Sequence, residues 1–448
     1  MSGNLAIVEP DPVITVAPTV QSRPAEAATG PAAARTDLTR FVALMGQLGV
    51  LMAVFSVYAI EEEAFGLLSA LVVGGFAIHY WLPFEWKLPF YIGWSVAGAF
   101  VMLPPTTAAL LIAFGLAVFG IVSLPVAFRW RLGAVLILAG VATYGRATLG
   151  FGAPFEFWPV LGAVFMFRLA IYLYDISHEK SAPRFQEFMT YFFMLPNYYF
   201  LLFPVIDFHT LRQTYFRRNV NDIAQQGVQW IARGTIHLML YRLVYHWKGP
   251  SNAPDQITSF FSLASSMVLT FLLYLRVSGQ FHVIVGMLHL FGYDLPETNR
   301  KYLLSHSLTD LWRRINVYWK DFMVKLVYFP VFFRLRRGGL VRAQVLATIV
   351  VIAATWFLHA YQWLWLRGNL QFSWPDSLFW AILGSFLTIN LLIEGRRPVR
   401  RAGRGSWQQW LVPVKVAGTF SVIVTLWSLW NSPSVPEWLD LITWWNVG

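Results

Sequence analysis

Two short stretches of the chain carry residues that could do chemistry. In Leu311-Trp312-Arg313-Arg314-Ile315-Asn316-Val317, two guanidinium groups and a carboxamide stand among apolar side chains. Downstream, His359 interrupts an apolar run from Ala343 to Leu366 that carries no charged side chain. Charging a side chain at the centre of a bilayer costs about 2.5 to 3.5 kcal/mol even on insertion scales, so an intramembrane histidine marks a candidate site. A neutral imidazole offers the lone pair that a general base requires. Asn316 cannot act as a base, but its amide can orient a substrate or donate to a developing oxyanion. Arg313 and Arg314 could hold the phosphates of a donor molecule, or anchor the segment to anionic lipid headgroups.

The elements that must position these groups follow from composition. The 448 residues are 57% hydrophobic and only 13% charged, against roughly 25% charged in soluble domains, and the mean hydropathy is +0.53. An all-α polytopic membrane protein is expected, because lipid forces a spanning backbone to satisfy its own hydrogen bonds. Trp81 and Trp86, like Trp427 and Trp430, stand at the ends of apolar runs, where indoles favour the water interface and mark helix ends. A net charge of +11 would suggest a nucleic-acid partner in a soluble protein. Here the arginines cluster between apolar runs, at Arg334 to Arg337 and Arg396 to Arg401, and read as cytoplasmic loops beside membrane lipids, with no nucleic acid. The absence of cysteine excludes disulfides, thiolate metal sites and an acyl-cysteine intermediate.

Residues 1–36, rich in Ala and Pro and without the pattern of a signal peptide, are expected to form a disordered cytoplasmic tail, and 37–448 a single membrane domain. Residues 41–60 and 64–82 can each span a hydrocarbon core of about 30 Å. The uncharged run 88–127 should divide into two helices at Pro104-Pro105. Further runs near 132–146, 155–175, 190–207, 228–245 and 258–275 precede a short run at 279–292 and a mixed polar and aromatic stretch at 294–328. The strong spans 343–366, 377–394 and about 411–430 follow. About 11–13 spanning or re-entrant helices are expected. The short middle runs suggest re-entrant or interfacial helices, which is where a site can be built.

Read as one helix, Tyr302 to Pro330 places Leu308, Trp312, Ile315 and Trp319 on an apolar face, with Asn316 at its border. If the basic segments 334–342 and 396–404 are both cytoplasmic, the helix beginning at Ala343 runs outward. His359 then lies about 24 Å along it, in the outer half of the membrane.

Several of these segments together resemble the membrane-bound O-acyltransferase family, particularly its bacterial branch that acylates alginate and teichoic acid. The resemblance rests on Ser278-Gly279 through Val283-Ile284-Val285-Gly286, Leu290-Phe291-Gly292-Tyr293-Asp294-Leu295-Pro296-Glu297, Ser307, Trp312-Arg313-Arg314 and Val327-Tyr328-Phe329-Pro330. Weaker landmarks at Tyr172 to Asp175 and Phe203 to Val205 extend it over roughly 165–400. His359 stands where the family carries its characteristic histidine. The neighbours differ, with Leu358 in place of a common Trp and Ala360 in place of Gly. Asn316 stands where the bacterial branch often has His and the eukaryotic lipid-acylating members have Asn. The resemblance implies acyl transfer from an acyl-CoA type thioester, a co-substrate and not a bound cofactor, to a hydroxyl acceptor. It implies His359 as general base and Asn316 in support. It further implies a cell inner membrane location, a cytoplasmic N-terminus, an extracytoplasmic glycan acceptor with a lipid or small-molecule alcohol as the alternative, and a periplasmic partner protein.

Other readings compete. His282 and His289, seven residues apart, with His306 near in sequence, would be the candidates for a metal site, but no His-x-x-x-His box occurs and no metal is expected. A transporter or flippase would bury paired ionisable groups in repeated halves, and no internal repeat is evident. The replaced neighbours of His359 leave open a family member that has lost catalysis.

Overall fold

In a computed structural model the protein is described at residues 36–148, 150–179, 182–249, 257–395, 411–443 and 445. The expected N-terminal tail, but for Thr36, and the arginine cluster at 396–401 lie outside these residues. The described chain is helical, and no β-strand forms among the described residues. In order the helices are α1 (Leu38–Tyr58), α2 (Glu63–Trp81), α3 (Phe84–Met102), α4 (Pro105–Val122), α5 (Phe128–Ala147), α6 (Phe157–His178), α7 (Phe185–Phe192), α8 (Phe208–Thr214) and α9 (Val220–Lys248). They continue with α10 (Phe260–Leu272), α11 (Leu275–Leu290), α12 (Leu308–Arg314), α13 (Val317–Met323), α14 (Phe329–Leu335), α15 (Leu340–Arg367), α16 (Trp374–Gly395), α17 (Val412–Trp430) and α18 (Val435–Ile442).

Among the described residues, eight candidate spans are long and apolar enough to cross a membrane: α1, α2, α4, α6, the stretch Phe260–Leu290 that holds α10 and α11, α15, α16 and α17. This makes the protein an all-α polytopic membrane protein. Three more helices, α3, α5 and α9, have comparable lengths of 19, 20 and 29 residues. Pro104 and Pro105 separate α3 from α4 as expected, Pro105 taking the first helical position, where its missing N–H costs nothing. The run at 190–207 is not a span. It contains the end of α7, a 3₁₀ turn at Leu195–Tyr198 and irregular backbone, buried around Phe192, Phe193, Leu195 and Ile206. Such backbone is tolerated at depth because protein surrounds it. The run at 279–292 is part of a longer helix, α11, preceded by α10.

The closest helix packing joins α9 and α11, which run antiparallel. A β-carbon added at Gly234 would lie 2.6 Å from the carbonyl oxygen of Gly279, and one at Gly227 would lie 2.7 Å from that of Gly286. Two glycines seven residues apart on each helix thus let the backbones touch, the small-residue contact that replaces the hydrophobic drive absent in lipid.

Two cores result. The larger gathers α1 to α9, α11, α13 and part of α15. The smaller gathers α10, α12, α16, α17 and α18. Trp312 packs against both, so α12 and α13 run along the seam between them.

Candidate functional site

The stretch 302–330 is not one helix. The α12 helix stops at Arg314, and Asn316 adopts a left-handed backbone, φ 41° and ψ 62°, before α13 begins. Asn is among the few residues besides Gly that occupy this region readily. Its side-chain oxygen then caps α13 by accepting the Trp319 N–H at 3.3 Å. Its backbone N–H donates to Oδ1 of the buried Asn299 at 2.9 Å. The flanking backbone pairs with the same segment, Val317 N–H to the Thr298 carbonyl and Arg300 N–H to the Arg314 carbonyl, each at 2.9 Å. With its oxygen engaged in the cap, the Asn316 amide keeps its N–H groups for another acceptor. The α13 helix passes into a π-helical turn at Val324–Tyr328.

His359 sits on α15, partly buried. This helix is fixed at its C-terminal end by Arg146 of α5, whose guanidinium donates to the carbonyls of Leu364, Trp365 and Leu366 at 3.1 to 3.2 Å. A cation at a helix C-terminus satisfies carbonyls that have no partner within the helix. The imidazole Nδ1 lies 2.8 Å from the Thr355 carbonyl oxygen. A carbonyl can only accept, so the proton of a neutral ring is on Nδ1 and the lone pair is on Nε2. Three indoles surround the ring: Trp380 at 5.0 Å, Trp319 at 5.4 Å and Trp430 at 6.0 Å between centroids. Asp376 fixes two of them, its Oδ1 accepting from Trp430 Nε1 at 2.7 Å and from Trp380 Nε1 at 3.2 Å.

Asn316 and His359 line one cavity of about 120 Å³ between the two cores, together with Trp319, Lys320 and Tyr274. Tyr274 donates its hydroxyl to Asn299 Oδ1 at 3.2 Å, so Asn299 holds both a wall of the cavity and the backbone of Asn316. Lys320 is buried, its ammonium 2.7 Å from Asp321. The indole N–H of Trp319 is buried and finds no acceptor in the protein.

The two residues singled out for chemistry are therefore brought together. Arg313 and Arg314 are not among the residues lining the cavity. Arg314 instead donates to Asp310 at 2.8 Å, within α12. His282 and His289 are fully buried on α11, each bonded through Nδ1 to the carbonyl four residues earlier, while His306 stands exposed beside Asp310. Among the described residues no group of three or more His, Cys, Asp or Glu could hold a metal ion. Trp427 and Trp430, read as interface markers, also line the cavity.

Sequence reasoning missed Asp376, Asn299, Lys320 and Thr355. Asp376 had a local signal, a carboxylate four residues before Trp380 in the first turn of a span. Asn299 had none, since the groups its side-chain oxygen holds, on Tyr274 and Asn316, come from two other segments.

No protein-family model and no curated protein matches this sequence. Fold and site together describe a polytopic helical membrane protein with a histidine and an asparagine lining one largely aromatic cavity.

Proposed function

We propose that the protein is a membrane-embedded O-acyltransferase, moving an acyl group from a thioester of the acyl-CoA type to a hydroxyl acceptor. The observation that carries this reading is the convergence of His359 and Asn316, from different helices, on one cavity, with an imidazole lone pair and free amide N–H groups. The acceptor hydroxyl gives its proton to His359 Nε2 as its oxygen attacks the thioester carbonyl. The carbonyl oxygen, gaining charge, accepts from the Asn316 amide and from the otherwise unpartnered indole N–H of Trp319. The C–S bond then breaks, the ester forms, and the proton on Nε2 passes to the departing thiolate. No protein nucleophile is required, in keeping with a chain that has no cysteine.

The left-handed backbone at Asn316 adds support. His and Asn, the residue types found at this place in the family that the sequence resembles, both tolerate that conformation. Arginines 334, 336 and 337 flank the N-terminal end of α15, and basic ends favour the cytoplasm. His359 then lies toward the outer half of an inner membrane, the N-terminus is cytoplasmic, and the acceptor is an extracytoplasmic glycan delivered with a periplasmic partner.

The test is release of free thiol from acyl-CoA by detergent-purified protein, with an oligosaccharide or a lipid alcohol as acceptor. Release that is lost in His359→Ala and reduced in Asn316→Ala is expected. Release that persists in His359→Ala would overturn the mechanism, and no release with any donor and acceptor would overturn the reading.

A further inference from the structure

We propose that Asp376 is a positioning residue for the reaction, holding the indoles of Trp380 and Trp430 as a clamp on the imidazole of His359. This rests on the transferase reading and adds to it the group that aims the base.

The His359 ring has one hydrogen bond, from Nδ1 to the Thr355 carbonyl of its own helix at 2.8 Å. That bond anchors one edge of the ring, so the direction of the Nε2 lone pair depends on what packs against the ring. The neighbours are Trp319 of α13, Trp380 of α16 and Trp430 of α17, at 5.4, 5.0 and 6.0 Å between centroids. A general base works only where its lone pair comes within about 2.6–3.2 Å of the atom that gives up the proton. Whatever fixes the indoles therefore fixes the aim of the base.

One oxygen fixes two of them. Asp376 Oδ1 accepts from Trp430 Nε1 at 2.7 Å and from Trp380 Nε1 at 3.2 Å, and a carboxylate oxygen has a lone pair for each. Sharing one acceptor sets the two indoles against each other, with centroids 5.9 Å apart and planes at 70°. Phe379 stacks on Trp430 at 4.8 Å with an interplanar angle of 11°. Stacking holds the plane of that indole but not its rotation within the plane, which the N–H bond decides. Trp380 lies four residues along α16 from Asp376, whereas Trp430 ends α17, so the shared oxygen also ties the two helices together. A carboxylate suits the first turn of α16, where the free backbone N–H groups favour negative charge. Asp376 is half-buried and is not among the residues lining the cavity, so it acts through the indoles and does not touch substrate.

Two measurements test this on the full-length protein in detergent. Asp376→Leu removes the acceptor and keeps the bulk, and Asp376→Asn keeps an acceptor oxygen. In Asp376→Leu, kcat for thiol release should fall about 10- to 100-fold, the scale of a misplaced reacting group, with KM little changed. Asp376→Asn should recover most of the loss. Asp376→Glu, which displaces the oxygen by one methylene, makes the same test where Asp376→Leu does not fold. The second measurement needs no turnover: diethyl pyrocarbonate modifies the free imidazole nitrogen, and mass spectrometry reads His359 against the exposed His306 in the same sample. Relative to His306, modification of His359 should rise severalfold in Asp376→Leu and stay near the wild-type rate in Asp376→Asn. Unchanged kcat in a folded Asp376→Leu, equal losses in Asn and Leu, or His359 reactivity indifferent to both substitutions overturns the proposal. A His359 reactivity that follows the series, in a protein with no His359-dependent thiol release, would leave the clamp standing and remove the transferase.

Discussion

The side-chain oxygen of Asn299 holds the backbone N–H of Asn316 at 2.9 Å, so a buried residue with no part in the cavity wall sets the place of one that faces it. Asn299 also accepts from Tyr274, and thereby ties α11 to the α12–α13 junction. Asn299→Ala would leave a partly buried N–H and a partly buried hydroxyl without their acceptor, at a cost of up to about 1–3 kcal/mol for each. We expect a lower melting temperature and a reduced kcat. Asn299→Asp, which keeps the acceptor, should recover more of both than Ala does. Equal melting temperatures for Asn299→Ala and wild type would sink the assignment.

Asn316 does two things, and substitutions can separate them. Asn316→Asp keeps an oxygen to cap α13 and a residue type that tolerates φ 41°, but it removes the amide donor. We expect a folded protein whose thiol release falls by about 10²- to 10³-fold, the usual loss for one oxyanion donor. Asn316→Gly keeps the backbone and loses both cap and donor, so it should lose stability as well. Wild-type turnover in Asn316→Asp would reduce Asn316 to a helix cap.

His359→Gln removes the base while leaving a polar side chain of similar reach between Trp319, Trp380 and Trp430. A fall in kcat of about 10²- to 10⁴-fold, with KM little changed, is expected of a lost general base. Trp319→Phe removes the unpartnered N–H together with part of a buried ring system, so it should lower kcat and, through the space it leaves, the melting temperature as well. An unchanged kcat in Trp319→Phe would show that this N–H does not serve the reaction.

The α9–α11 contact predicts a sharp contrast among glycines. Alanine at Gly234 or Gly286 places a methyl group 2.6 to 2.7 Å from a facing carbonyl oxygen or side chain, and the helices must separate. Overpacking of this kind costs about 1–3 kcal/mol. Alanine at Gly46 or Gly49 of α1 meets nothing within 4 Å and should leave the melting temperature unchanged or slightly raised. Melting curves of the four variants in one detergent would check this, and equal effects at all four positions would contradict it.

Asp294 lies beyond the end of α11 and receives Arg217 at 2.9 Å and Arg218 at 2.5 Å. Burial alone would raise its pKa, but the hydrogen bonds from Arg218 and Arg217 outweigh burial and hold the carboxyl below its usual range. A folded-state pKa that is depressed contributes stability above the unfolded value of about 3.9, and that contribution is lost as the pH falls through the folded value. We expect the wild type to lose stability on acidification below the ordinary carboxyl range, and Asp294→Asn to be less stable at neutral pH with a flatter acid limb. Parallel pH profiles for the two proteins would exclude this role.

The sequence by itself determined that the chain is helical and embedded in lipid. Apolar runs of span length have no other stable form in a bilayer, and the Pro104-Pro105 break acts locally, through a missing donor and a restricted φ. It also marked His359, because an ionisable group in an apolar run is costly wherever the run is placed. Only tertiary structure decided the rest. The helix read across 302–330 breaks at Asn316, because hydrogen bonds from the distant segment 298–300 hold a backbone conformation that local propensity does not demand. The indoles of Trp427 and Trp430 belong to the cavity and not merely to the interface, because α17 packs against α10 and α16, with Asp376 on α16 taking the Trp430 N–H. Arg314 is committed to Asp310, a choice between partners that composition cannot make. Helix formation is governed by a residue and its neighbours a few positions away, whereas a cavity is defined by side chains from many helices. Its walls, and the meeting of His359 with Asn316 in them, exist only once those helices have packed.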